Sequence, residues 1–149
     1  MSVSTKHPLP VNPKAIAIIV TDSHLPAYRK AGFTVLALYD RDKQKANNVA
    51  EQWHIPHCCD TLEDLIARGA QEGCVFDIAI PASEILTILQ KLPARAGVLI
   101  QKPMGESLAQ AQAILDCCRQ KGLIAGINFQ LRRAPFMMAA KAGDGRQTG

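Results

Sequence analysis

Short apolar runs alternate along the chain with longer segments in which apolar residues recur at helical spacing. The short runs are rich in valine, isoleucine, leucine and alanine, which is typical of strands buried on both faces. They predict strands at residues 15–20, 34–39, 75–80, 97–100 and 123–129, with a short strand inside residues 54–61. Strands that alternate with helices predict a parallel sheet covered on both sides. The expected fold class is α/β, a doubly wound Rossmann-like domain with a mainly parallel sheet.

Residues that begin and end helices stand between the predicted strands. Serine and threonine accept hydrogen bonds from free backbone N–H groups at a helix start, and glycine commonly ends a helix. The predicted starts are Ser23, Thr61, Ser83 and Ser107, and the predicted ends are Gly32 and Gly122. In the last helix, the spacing predicts an apolar face made of Leu108, Ala111, Leu115 and Cys118.

Four residues fall at or near the predicted carboxyl ends of strands: Asp40, Pro81, Lys102 and Asn128. In a doubly wound parallel sheet these ends meet at one edge, where ligands bind. The four residues are therefore candidates for one binding site. The alternative is that strand ends carry polar residues because the loops that follow them are solvated.

Composition and charge narrow the class of protein. The chain has 149 residues, 48% apolar and 20% charged, which is ordinary for one globular domain. Residues 14–138 are expected to form the domain, with a flexible segment at 1–13 and a polar tail at 139–149. The net charge of +4 is mild and the basic residues are scattered, which argues against a nucleic-acid partner.

The sequence also argues against a membrane protein and against a disulfide framework. No apolar run approaches the ~18 residues of a membrane span, and the first residues lack the apolar core of a signal peptide. The five cysteines are odd in number and form no CxxC pair. A reducing, cytoplasmic location is the expectation.

One cluster of metal-binding residue types occurs in HIPHCC, with His54, His57, Cys58 and Cys59. Such side chains at short spacing can indicate zinc. Adjacent cysteines seldom chelate one ion, however, and no second ligand pair follows. We therefore expect no metal, and we expect these residues to pack along a strand.

Five stretches together resemble the Gfo/Idh/MocA family of NAD(P)-dependent oxidoreductases: HLPAYRKAGF, ALYDRD, FDIAIPAS, LIQKPMGESLAQA and AGINFQLRRAP. The resemblance covers about residues 14–138 and is to the N-terminal cofactor domain of the family. It implies binding of NAD or NADP and hydride transfer to or from a hydroxyl carbon. The substrates of the family are sugars, inositols and other polyols, or biliverdin-like and dihydrodiol compounds.

The resemblance assigns Lys102 as the catalytic residue. The family has a Glu-Lys-Pro motif whose lysine lies beside the nicotinamide and contacts the reacting hydroxyl. Here the motif is Gln101, Lys102, Pro103, so an amide replaces the usual glutamate. Partial burial at a strand end lowers the pKa of a lysine, which suits proton exchange with a substrate oxygen. The alternative is an ordinary exposed lysine.

Further cofactor contacts follow from the same resemblance. A carboxylate after the second strand, here Asp40, binds a ribose hydroxyl and favours NAD. Its neighbour Arg41 could instead stack on adenine or bind the 2′-phosphate of NADP. The resemblance also places Pro81, Ala82, Ser83, Ser23 and His24 against the cofactor, and Asn128 near the nicotinamide and the substrate.

Two departures from the family pattern bear on activity. The glycine-rich turn after the first strand is replaced by Thr21, Asp22, Ser23 and His24, which predicts weaker pyrophosphate binding because side chains obstruct the phosphates. The family's substrate domain has no counterpart in the sequence, which favours a truncated or alternatively joined reading frame, or a chain whose partner subunit supplies the rest. A homo-oligomer is the other association that the sequence leaves open. The alternatives to an enzyme are a non-catalytic nucleotide-binding or regulatory module and a degraded remnant.

Overall fold

The computed structural model describes residues 15–17 and 24–129. The strands of this part are β1 Ala15–Ala17, β2 Val35–Leu38, β3 His57–Cys58, β4 Val75–Ile78, β5 Gly97–Ile100 and β6 Ile124–Ile127. They form one sheet in the order β3-β2-β1-β4-β5-β6, and each neighbouring pair is parallel. The predicted doubly wound α/β fold is confirmed.

Five helices of the described residues connect the strands: α1 His24–Ala31, α2 Lys43–Trp53, α3 Leu62–Gln71, α4 Ile85–Lys91 and α5 Leu108–Lys121. Two predicted caps are confirmed. Thr61 Oγ1 accepts from the N–H of Asp64 at 3.1 Å, and Ser107 Oγ accepts from the N–H of Gln110 at 3.2 Å. Gly122 ends α5 in the left-handed conformation, as predicted.

The helix predicted to start at Ser83 begins differently. A 3₁₀ turn, Ala82–Glu84, comes first, and α4 follows from Ile85. The N–H of Glu84 donates to the carbonyl of Pro81 at 3.0 Å, so the chain turns tightly before it becomes α-helical. Ser83 therefore lies inside the turn and does not cap the helix.

Two clusters of buried apolar residues cover the two faces of the sheet. The neighbouring residues Ala37 and Leu38 of β2 belong to different clusters, because successive side chains of a strand point to opposite faces. The larger cluster joins α3, α4 and α5 to the sheet, and the smaller one joins α1 and α2 to it. This arrangement is the two-sided cover that the apolar strands predict.

The predicted apolar face of α5 is wrong in part. Leu108 is 87% exposed and Leu115 is 36% exposed, whereas Ile114, Cys117 and Cys118 are buried. The three buried residues stand at i, i+3 and i+4, so they define the packed face of the helix. Leu108 is the first residue of the helix and does not reach this face.

The edge strand β6 also departs from the prediction that strands are buried on both faces. Ile124 is 62% exposed, and the next two residues are exposed as well. A groove of about 500 Å³ runs beside β6, with Tyr28, Leu99 and Ile124 among its lining. The helices of the described residues thus leave the outer part of this face open.

Candidate functional site

The sheet brings the predicted site residues to one edge. Asp40 follows β2, Pro81 follows β4, Lys102 follows β5 and Asn128 follows β6. All four strands are parallel, so their carboxyl ends lie on the same side. The strand order reverses between β1 and β4, which is where ligands bind in doubly wound sheets.

Asp40 is held in place at the end of β2. Its Oδ1 accepts from the backbone N–H of Asp42 at 3.0 Å, and Lys45 Nζ lies 3.5 Å from its Oδ2. The side chain is 13% exposed. An ionised carboxylate accepts about four hydrogen bonds, so Asp40 keeps capacity for a ligand hydroxyl.

Arg41 is paired rather than free. Its Nη1 donates to Glu84 Oε1 at 2.8 Å, and its Nη2 donates to Glu84 Oε2. This forked ion pair ties the loop after β2 to the 3₁₀ turn before α4. An arginine engaged in this way has fewer donors left for a phosphate.

A groove of about 540 Å³ opens beside this ion pair. It lies between the end of β2, the start of α3 and the turn after β4, and its lining combines apolar side chains with charged ones. Leu62, Ile80 and Pro81 supply apolar contacts, while Arg41 and Glu84 supply charge. Such a lining suits a ligand that has both an apolar part and a polar part.

A buried carboxylate, Asp77, organises the middle of the edge. The residue is 1% exposed, and its Oδ2 accepts from His24 Nδ1 at 2.6 Å and from the Tyr28 hydroxyl at 2.7 Å. Its Oδ1 accepts from Gln101 Nε2 at 3.0 Å. Gln101 Oε1 in turn accepts from Asn128 Nδ2 at 2.9 Å. We call these five residues the Asp77 network.

The Asp77 network shifts two titrating groups. The hydrogen bond between His24 and the Asp77 carboxylate raises the pKa of His24, although burial acts in the opposite direction. Burial, with the charge of Asp77, raises the pKa of Tyr28. His24 is therefore favoured as the cation, while Tyr28 stays a neutral donor.

Asp77 was not among the site residues that the sequence predicts. The signal was a single carboxylate inside the apolar run of residues 75–80, where every other residue is apolar. A charge in a buried strand requires partners, so its presence indicates a polar network. The sequence pattern does not show which distant residues supply that network.

Lys102 lies in the loop after β5, and its side chain is exposed. The prediction that this lysine is partly buried is therefore wrong. The Lys102–Pro103 peptide bond is cis. Further along the loop, Gly105 has φ +84°, and a Cβ built there would lie 2.8 Å from Gln110 Cβ. The loop therefore packs closely against the first turn of α5 at this glycine.

The remaining predictions divide between what the structure describes and what it does not. His24 is the first residue of α1, and its ring nitrogen contacts Asp77. Ala82 and Ser83 lie in the 3₁₀ turn, and Ser83 lines the groove of about 540 Å³. Ser23 and the predicted glycine-free turn lie outside the described residues.

Only part of the HIPHCC segment forms the expected strand, because His54 is instead the C-cap of α2 in the left-handed conformation. His57 and Cys58 form β3, and both are half-buried. No group of three or more His, Cys, Asp or Glu side chains with metal-binding geometry occurs within residues 15–17 and 24–129. In the same residues, no helix has the length and apolar character needed to cross a membrane.

Comparison with known proteins places this geometry in context. Residues 16–129 match the Gfo/Idh/MocA family, described as the oxidoreductase family with an NAD-binding Rossmann fold. The chain is 29% identical over 111 residues to YceM of Salmonella typhimurium, named as an oxidoreductase. The match covers 74% of this chain and 35% of YceM.

Two solved structures illustrate the fold. An oxidoreductase from Agrobacterium radiobacter in complex with NAD+, L-tartaric acid and magnesium superposes with a TM-score of 0.77 at 22% identity. A super-repressor mutant of Gal80p from Saccharomyces cerevisiae superposes with a TM-score of 0.71 at 18% identity. The superpositions cover 91% and 87% of this chain, but only 40% and 38% of those proteins.

Proposed function

Because the chain belongs to the Gfo/Idh/MocA family of NAD-binding oxidoreductases, we propose that it is the cofactor domain of a dehydrogenase or reductase acting on a sugar-like or polyol-like hydroxyl. The observation that supports this most is that Asp40, Lys102 and Asn128 follow strands whose carboxyl ends meet at one edge of the sheet. The chain spans 35% of the length of its relative YceM, so the substrate is proposed at the level of chemical class.

In this proposal the adenosine half of the cofactor lies between the ends of β2 and β4. The apolar side chains of Leu62 and Ile80 contact the base, and Asp40 accepts hydrogen bonds from the ribose hydroxyls. The carboxylate favours NAD, since it would repel the 2′-phosphate of NADP. The pairing of Arg41 with Glu84 supports the same preference.

The nicotinamide half lies near the ends of β5 and β6 in this proposal, beside Gln101, Lys102, Pro103 and Asn128. When bound, the nicotinamide ring supplies the hydride chemistry. Lys102 holds the proton of the reacting hydroxyl, and its exposed ammonium is free to reach a ligand from the loop. In the same proposal, Asn128 orients the nicotinamide and the substrate that lie beside it.

Titration of the purified chain with NADH and NADPH tests the proposal, with nicotinamide fluorescence and calorimetry as readouts. We expect micromolar binding of NADH and weaker binding of NADPH. Asp40→Ala should weaken NADH binding at least tenfold. Asp116→Ala, which removes an exposed carboxylate from α5, is the matched control and should leave the affinity unchanged. Failure of the wild-type chain to bind either cofactor at millimolar concentration would overturn the proposal.

Substitution of Lys102 tests the catalytic assignment. With a panel of polyols and NAD, Lys102→Ala should abolish hydride transfer and change cofactor affinity by no more than a few-fold, because the lysine acts on the substrate. Lys30→Ala, at an exposed position of α1, is the control. Wild-type turnover by the Lys102 variant would show that the lysine has no catalytic role.

A second candidate is a non-catalytic regulatory module that binds the dinucleotide. The resemblance in fold to a Gal80p super-repressor favours this alternative. The two candidates differ in one measurement. A chain that binds NADH but converts none of the polyols, alone or with a partner subunit present, would support the regulatory module.

A further inference from the structure

Asp77 occupies a position where its contacts converge on the ligand-binding edge. His24 begins α1, Gln101 directly follows β5, and Asn128 directly follows β6. All three belong to the Asp77 network, and all three lie at the ends of elements that reach the carboxyl edge of the sheet. An apolar side chain in β4 would avoid the cost of burying a charge. A role at the edge accounts for a carboxylate there.

The bonds of the Asp77 network have a fixed direction. An ionised carboxylate only accepts hydrogen bonds, so Gln101 must turn its NH₂ group toward Asp77 Oδ1. Its carbonyl oxygen then faces Asn128, which must turn its own NH₂ group toward Gln101. Asn128 Oδ1 is left as an acceptor, and it has no hydrogen-bond partner among residues 15–17 and 24–129.

We propose that Asp77 is a positioning residue of the cofactor site. By fixing the orientation of Gln101, it makes Asn128 present a carbonyl oxygen to the carboxamide NH₂ of the bound nicotinamide. Asp77 touches neither cofactor nor substrate and acts through the two amides. The inference rests on the proposed function, and its test separates the two.

Two ligands distinguish positioning from a general structural effect. NADH carries the nicotinamide, whereas ADP-ribose has the same adenosine and pyrophosphate without it. Asp77→Asn allows residue 77 to present either an oxygen or an NH₂ group to Gln101, so the direction of the chain is lost. We expect this variant to weaken NADH at least tenfold and ADP-ribose less than twofold, as measured by calorimetry.

Tyr28→Phe is the matched control. It removes a hydrogen bond to the same carboxylate but leaves the path from Asp77 to Asn128 intact. Both ligands should keep their wild-type affinities within twofold. If Asp77→Asn weakens NADH and ADP-ribose equally, its role is structural and the proposal is overturned.

A double-mutant cycle keeps the proposal testable if Asp77→Asn does not fold. Gln101→Ala breaks the same path at a half-buried position, and Asn128→Ala removes the acceptor itself. If the path exists, the double variant should bind NADH within twofold of Asn128→Ala alone. Additive losses would overturn the Asp77 proposal and leave the proposed function standing. Loss of all NADH and ADP-ribose binding in the wild type would instead overturn the proposed function, and the Asp77 proposal with it.

Discussion

The carboxylate of Asp77 raises the pKa of His24 and sets the orientation of the Gln101 amide. Three donors converge on its two oxygens, from His24, Tyr28 and Gln101. These bonds offset the desolvation of a charge that is 1% exposed. The consequences at this scale concern the protonation of His24 and the identity of residue 101.

The raised pKa of His24 links folding to pH. A histidine with a folded pKa above its ordinary value of 6.5 adds stability that is complete below that value and is lost as pH rises through the folded pKa. We expect the difference in unfolding free energy between the wild type and His24→Gln to be larger at pH 6 than at pH 8. Urea unfolding at both pH values measures it.

His57→Gln is the control for this pH dependence, because no hydrogen bond joins His57 to a carboxylate within the described residues. It shows whether the loss of another histidine gives the same pH dependence as the loss of His24. If the difference in unfolding free energy between the wild type and His24→Gln is the same at pH 6 and pH 8, the contact with Asp77 does not raise the pKa of His24 on folding.

Gln101→Glu tests the need for an amide beside Asp77. The new carboxylate would lie about where Gln101 Nε2 now donates at 3.0 Å, and a second carboxylate so close to the buried Asp77 disfavours ionisation of both. The pKa of Glu at this position would rise, so stability falls as pH rises above the unfolded value. We expect a loss of about 3 kcal/mol at pH 8 and a smaller loss at pH 5. Thermal unfolding at the two pH values measures it.

Gln112→Glu provides the matched comparison. Gln112 also donates to an aspartate at 3.0 Å, that of Asp116, but on the exposed surface of α5. Solvent screens the new charge there, so the expected loss is below about 0.5 kcal/mol at both pH values. Equal losses for the two variants would contradict the burial argument.

At the scale of elements, the site depends on two connections between secondary structures. The loop after β5 returns the chain to α5 and carries Lys102. The Arg41–Glu84 ion pair joins the loop after β2 to the turn before α4. A substitution in the first connection should change stability, and one in the second should change the preference between NAD and NADP.

Gly105 permits the close contact between the Lys102 loop and α5. An alanine there would combine the left-handed backbone, which costs about 1–2 kcal/mol, with a clash against Gln110. Overpacking adds about 1–3 kcal/mol, so Gly105→Ala should cost about 3 kcal/mol in urea unfolding. Gly73→Ala is the control, since Gly73 has φ +63° and open space around its Cβ position. It should show the backbone cost alone.

Glu84 should influence the choice between NAD and NADP. Glu84→Gln removes the charge that engages Arg41, which frees the guanidinium for a 2′-phosphate. We expect NADPH affinity to rise several-fold while NADH affinity stays within twofold. Glu63→Gln removes a carboxylate from the opposite side of the same groove, where it pairs with Lys91, and serves as the charge control. Equal gains in NADPH affinity for both variants would assign the effect to net charge.

Across the whole molecule, the sequence predicts most of the architecture because local signals determine it. The strand positions, the caps at Thr61 and Ser107, and the gathering of site residues at one edge all follow from period and chain order. The exposed Leu108 and the open face of β6 were not predicted, since they depend on which elements happen to cover them. Asp77 was missed for the same reason, because its partners are distant in sequence and meet only in the folded sheet.

The Asp77 network also joins elements on both sides of the point where the strand order reverses. β1 and β4 are neighbours where the strand order reverses, and the described residues of β1 pair with β4 from Ala15 to Ala17. The side chains of α1 reach across this point to Asp77. Proteins open locally in contiguous cooperative units, and a boundary between two units can lie at such a point. If the carboxylate closes this boundary, backbone amides of β2 and β5 will exchange with solvent in one cooperative event, and the two halves of the sheet will behave as a single folding unit.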